Sequence, residues 1–231
     1  MQRLTPAALA QAYRDPVSWL VLVVDLFPII AIFQFGWGAA ALVMLYWLEN
    51  LVIGFMTLLR MVAAGAGTGV AATIAALAFG AFFTFHYGMF CFVHGIFLMA
   101  FAEMQGGSGG DFEISPAGLI RYALSTGDGM VWFLGAILAI QLFLFVRDFL
   151  LRGEYRETDL ISEMGEPYGR IIVLHVALFA GFGLLVFLGE PFVGVLALIL
   201  LRAAWGAVQS VQRQQEITAS ANRKVDEASP I

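Results

Sequence analysis

The sequence predicts an all-α fold: a polytopic transmembrane helical bundle of about six spans, with both termini cytoplasmic. Three observations predict it. Of the 231 residues 61% are hydrophobic and 13% charged, whereas a soluble domain carries about 25% charged residues. The apolar residues gather in stretches that reach the roughly 20 residues a helix needs to cross a hydrocarbon core of about 30 Å. Eleven of the twelve basic residues fall at the termini or in alternate loops, and only Arg121 falls on the other side. That asymmetry assigns the basic side to the cytoplasm.

The elements follow in order. Residues 5–13 form a short interfacial helix, with Thr5 as N-cap and Pro6 at the first helical position. The predicted spans are about 17–35, 39–62, 69–101, 130–151, 169–189 and 191–209. They make one transmembrane helical domain over 1–211, followed by a polar, frayed cytoplasmic tail over 212–231. The first span runs straight on into the second, so it is a retained anchor rather than a cleaved signal. Gly36-Trp37-Gly38 is a tight turn with an interfacial tryptophan. The third stretch would reach roughly 50 Å as a helix; it must tilt, kink near Gly80 or Gly88, or project from the bilayer. Residues 103–128 are a Gly-rich acidic loop with a surface helix starting at Ser115-Pro116. Glu190-Pro191 makes the last turn short, and the mixed-charge segment 153–168 reads as a solvated loop.

Composition also excludes. One cysteine, Cys91, leaves no intrachain disulfide and no Cys-only zinc site. A net charge of −5 without a basic cluster gives no reason to expect a nucleic-acid partner. The expected partner is the lipid bilayer. No internal repeat is visible, which weighs against an inverted-repeat transporter.

The chemistry lies in the polar residues at depth. All three histidines, His86, His94 and His175, sit in apolar stretches, as do Glu49 and Asn50. An ionisable group there costs on the order of 2.5 kcal/mol or more, so it faces a partner, a cavity or a metal. Tyr46 shares a helix face with Glu49, and Gly54 and Thr57 continue that side with room for close helix approach. Glu49 is either a protonated interhelical link, or a metal ligand, proton carrier or general base. His86 and His94 are about 80° apart around a helix and roughly 12 Å along it. One zinc ion with Zn–N distances of about 2 Å does not take both from a regular helix, and the HExxH spacing is absent. Cys91 and His94, three apart, are able to share an ion. By estimated depth, Asp25, Glu49, Asn50 and His86 lie near the midplane, with Gln141 midway along the fourth span. His175 lies towards the cytoplasm and His94 towards the outside.

Tyr46-Trp47-x-Glu49-Asn50, then His86-Tyr87-Gly88-x-Phe90 with His94, then a His-containing helix after the EPYGR motif resemble a prokaryotic family of six-span integral membrane proteins of unknown function. The resemblance runs from the second span to the sixth. It implies the same architecture and a prokaryotic inner-membrane location, and it brings no reaction, substrate or cofactor.

Four functional expectations follow. The first is an intramembrane zinc site from His86, His175 and Glu49, with His94 or Asp25 as further ligands. With an open position it would activate water, as in a membrane-embedded hydrolase acting on a small-molecule or lipid substrate. Glu49 would instead serve as general base if it stands beside the metal, with Asn50 polarising a carbonyl. The second is a proton- or cation-coupled transporter or channel, which at this size calls for a homo-oligomer. The third is haem held by two histidines, His86 with His175. The fourth is a scaffold in which every buried polar group is interhelical glue.

Overall fold

A computed structural model describes residues 6–104, 113–156, 158–165, 167–169 and 171–172, with positions 208, 210–211, 214–215 and 218. The fifth and sixth predicted spans, His175 and most of the tail lie outside the described residues. Thr5, the expected first cap, lies outside them too.

The described residues are mostly helical, with no strand among them. Helix α1 covers Pro6–Ala12, α2 Pro16–Phe35, α3 Ala39–Thr68 and α4 Val70–Met104. Helix α5 covers Pro116–Ser125 and α6 Met130–Leu144. The chain of α6 continues as π-helical turns over Phe145–Leu151. Three of these stretches are long and apolar enough to cross a membrane: Ala39–Thr68, Val70–Met104 and Met130–Leu151. They correspond to the second, third and fourth predicted spans.

Local chemistry sets the boundaries. Asp15 caps α2 by accepting from the Val17 N–H at 3.1 Å, with Pro16 at the first helical position. The helix runs through Pro28 and ends at Gly36, whose φ of 64° is a left-handed conformation that glycine adopts without strain. The Gly36–Gly38 turn forms as expected, but its tryptophan is buried rather than displayed. Trp37 donates to the Asp128 carbonyl at 3.0 Å and packs on Phe133, closing the α2–α3 turn against the start of α6. Ser115 caps α5 by accepting from the Gly118 N–H at 3.0 Å, as the sequence predicts. On the inner side of α5, Tyr122 donates to Glu103 at the end of α4 at 2.9 Å. Burial, then the Glu103 carboxylate, raises the Tyr122 hydroxyl's pKa, so it stays protonated and keeps donating.

Helices α3 and α4 form a long antiparallel hairpin turned at Gly69. Their length is its defining feature. At 1.5 Å per residue, the 35 residues of α4 reach about 52 Å. The helix is unbroken at Gly80 and Gly88, so neither glycine supplies the kink that the sequence allowed. Small residues bring the two axes together. A Cβ at Gly65 would lie 2.7 Å from that of Ala76, and one at Gly54 would lie 2.6 Å from the Tyr87 ring. Such close backbone approach is the main source of helix association in lipid.

The segment 153–168 is the clearest departure from expectation. It is docked rather than solvated. Tyr155 lies against Gly67 of α3, Pro167 is fully buried, and Glu163 reaches Arg60 at 3.8 Å. The Arg60 guanidinium also sits over the Phe149 ring, 5.3 Å from its centroid. Nearby, Asp148 is buried in the π-helical turns and takes Arg152 at 3.1 Å. Arg147 lies between Asp15 and Asp148, 3.7 Å from each. Paired charges of both signs let this stretch pack on apolar helices, which charge counting alone does not reveal.

Candidate functional site

The site is built on the α3–α4 contact, and three contacts fix its register. Trp47 lies against Gly95 and donates its indole N–H to the Cys91 carbonyl at 2.8 Å. Below it, Tyr87 fills the space over Gly54, and lower still Gly65 meets Ala76. In this register Glu49 and Asn50 fall between the Trp47–Gly95 and Gly54–Tyr87 levels, at about the height of Cys91.

Six side chains make a polar layer there. Tyr46, Glu49 and Asn50 come from one face of α3, because positions three and four apart are neighbours on a helix. Tyr87, Cys91 and His94 come from the facing side of α4 by the same spacing. All six are buried, with Glu49 and Asn50 each 2% exposed and His94 5%. The Tyr87 hydroxyl donates to the Asn50 backbone carbonyl at 3.1 Å and also lies within reach of the Cys91 thiol. The Asn50 side-chain oxygen has no hydrogen-bond partner.

Side-chain direction then separates the two histidines of α4. Helical side chains lean towards the N-terminus of their own helix. The helices are antiparallel, so Glu49 leans towards His94 and His94 leans back towards Glu49. His86 lies about 12 Å from His94 along the same helix and by the same rule leans further from Glu49. It is half-buried, stacked on Phe82 at 5.3 Å and edge-on to Phe90. Its Nδ1 is 2.6 Å from the Tyr168 hydroxyl. The structure thus brings Glu49, Asn50 and His94 to one height and holds His86 apart, on the docked segment.

Ile171, buried against Phe83, Tyr87 and Cys91, continues that contact one turn beyond Tyr168. Among the described residues, no three His, Cys, Asp or Glu side chains gather where an ion would sit. The proposed ligand His175 lies outside them. Asp25 is on α2, and Gln141 is half-buried on α6.

A model of a family of unknown function, DUF6498, matches residues 7–223. The chain belongs to that family. The match takes in the whole polar layer, the His86–Tyr168 contact and the docked segment. No curated protein and no solved structure matches the chain.

Sequence reasoning missed Tyr168 as a functional partner, because EPYGR read as part of a solvated loop. Its signal was the aromatic hydroxyl itself, set at the mouth of an apolar stretch. The role of Tyr87 was half visible. The glycine at position 54 announced a large partner, without saying which one.

Proposed function

We propose that this DUF6498 protein is a six-span membrane protein of the prokaryotic inner membrane, with both ends cytoplasmic, that moves protons or small cations. The observation that carries this reading is the succession of proton-exchanging and oxygen-bearing groups along the α3–α4 contact. From the Arg60 end inwards it runs through Glu163, the Tyr168–His86 pair, the Tyr87–Cys91–Asn50 group, and then Glu49 and His94. Intramembrane Glu and His groups in such a series are the parts of a proton relay. Histidine suits this use because it changes charge near neutral pH. With His86 neutral and its proton on Nε2, the Tyr168 hydroxyl donates to Nδ1; with His86 protonated, Nδ1 donates and the hydroxyl oxygen accepts. The contact survives both states, so the pair passes a proton without coming apart.

The test is proton uptake into liposomes carrying the purified protein, driven by a potassium diffusion potential. We expect uptake above that of empty liposomes, abolished by Glu49→Gln and slowed at least tenfold by His86→Ala. Uptake indistinguishable from empty liposomes, or untouched by Glu49→Gln, would overturn the reading.

A second reading is favoured by the mutual lean of Glu49 and His94. A carboxylate and an imidazole at one height on facing helices suit zinc when a third donor joins them. In the fifth span that the sequence predicts, His175 follows Tyr168 and Ile171 by seven and four residues. A hydrolase reading would build on that centre, with Asn50 beside it. Elemental analysis of the purified protein separates the two readings. Stoichiometric zinc lost in both Glu49→Ala and His94→Ala supports the metal centre, and zinc retained by both variants excludes these ligands.

A further inference from the structure

On the membrane reading above, the α3–α4 hairpin is longer than the bilayer it crosses, and its surplus is apolar. Charges mark the boundaries. The 18 residues between Asp128 and Arg147 carry no charge. As helix they reach about 27 Å, close to the thickness of a hydrocarbon core. Arg147 and Arg152 then sit at the cytoplasmic boundary. Arg60 sits there too, since its guanidinium lies 5.3 Å from the centroid of the Phe149 ring.

The hairpin does not stop at that level. Helix α3 continues over 61–68, about 12 Å further. The contacts of Gly54 with Tyr87 and of Gly65 with Ala76 put Arg60 level with position 81, so 70–80 of α4 also lie beyond it. A headgroup layer is about 5–8 Å deep on each side, and the tip overshoots it into water. Yet 61–80 holds no charged residue, and its only polar side chains are Thr68 and Thr73. Both turn their hydroxyls onto their own helices, donating to the Ala64 and Gly69 carbonyls at 2.9 Å.

The docked segment covers one flank of this tip, through Tyr155 on Gly67. The flank made by α4 is open, with Val70, Ile74 and Leu77 exposed by 79%, 63% and 57%. Further along α4 such residues face lipid at no cost. Here they face water, and an apolar patch in water marks a contact site.

Two features choose the occupant. The patch is without charge, so two copies of it meet without repulsion. It also stands at a fixed height above the membrane, which a second copy of the chain matches automatically. A twofold axis along the membrane normal brings one patch onto the other, each residue near its own counterpart. Exposed alanines at 71 and 78, one turn either side of Ile74, let the two helices approach closely. We propose that the protein is a homodimer joined at its hairpin tips, with Ile74 at the centre of the contact. The proposal rests on the membrane reading and is independent of what the polar layer carries.

The experiment is oxidative cross-linking of Ile74→Cys in native membranes, where the chain's own Cys91 is buried. We expect a species of twice the chain's mass, in at least tenfold greater yield than from Trp132→Cys, an exposed position at the other end of the bundle. Ile74→Glu should stay folded, because the protomer's own packing does not use this side chain, and should halve the mass seen by native mass spectrometry. Equal cross-linking at the two positions, a cross-link to a different protein, or an undiminished mass for Ile74→Glu would overturn the dimer. So would a spin label at position 74 relaxed more by oxygen than by a water-soluble nickel chelate, which would put lipid on the patch. Alkaline carbonate extraction separates the two readings. Protein that stays in the membrane without cross-linking strikes the dimer alone, whereas protein released into solution strikes the membrane reading and the dimer with it.

Discussion

Helices α3 and α4 are alike in sequence and unlike in situation. Their most apolar stretches have mean hydropathies of 1.8 and 1.6, yet 72% of the residues are buried in the first and only 28% in the second. Helix α3 is surrounded: it packs on α4, α5, α6 and the docked segment. Helix α4 presents Phe82, Phe85, Met89, Val93 and Phe97 outward along its length. In water such a face would be a liability. In lipid it is neutral, because acyl chains are as apolar as the side chains that face them. Hydropathy therefore marks which helices cross a membrane and is blind to which face turns inward. Glycines and buried polar groups carry that second message.

Three experiments sharpen the contrast. The largest effect should come from crowding the shared face. Gly54→Leu drives a side chain into the Tyr87 ring and should destabilise the bundle by about 3 kcal/mol. Gly88→Leu, on the open face where an added Cβ meets nothing, should stay within about 0.5 kcal/mol. Paired melting curves in detergent check this, and equal losses for the two variants would erase the distinction between the faces. A smaller effect is expected where the docked segment meets α4. Tyr168→Phe removes the hydrogen bond to His86 and should cost about 1 kcal/mol, read as faster amide exchange over 159–171 with α3 unchanged. The smallest belongs to the Arg60–Glu163 pair, at 3.8 Å and partly exposed. Arg60→Ala should cost below about 1 kcal/mol through that pair, and the part of the loss due to charge should fade in high salt.

Much of the fold was legible in the sequence. The apolar lengths located the three described membrane-length helices, and Ser115-Pro116 and Gly36 marked a start and a stop through capping chemistry that depends only on neighbours. The site was legible in part. Glu49, Asn50 and His94 stood out because charge and amide groups are costly in an apolar stretch. Grouping Glu49 with His86 followed from depth estimates counted along single helices. Depth by counting fails for a 35-residue helix, since nothing in its own sequence says which turn lies level with its neighbour.

By itself, then, the sequence determined the helical class, the apolar lengths and the identity of the costly groups, because those depend on composition and on neighbours in the chain. The tertiary structure alone decided which of those groups meet. The close approach at Gly54 and Gly65 sets the register of α3 on α4, and that register puts Glu49 and Asn50 near the height of His94. The docking of 153–168 then gives His86 to Tyr168. Register is a property of two surfaces fitted together, so it becomes visible only when both are in place.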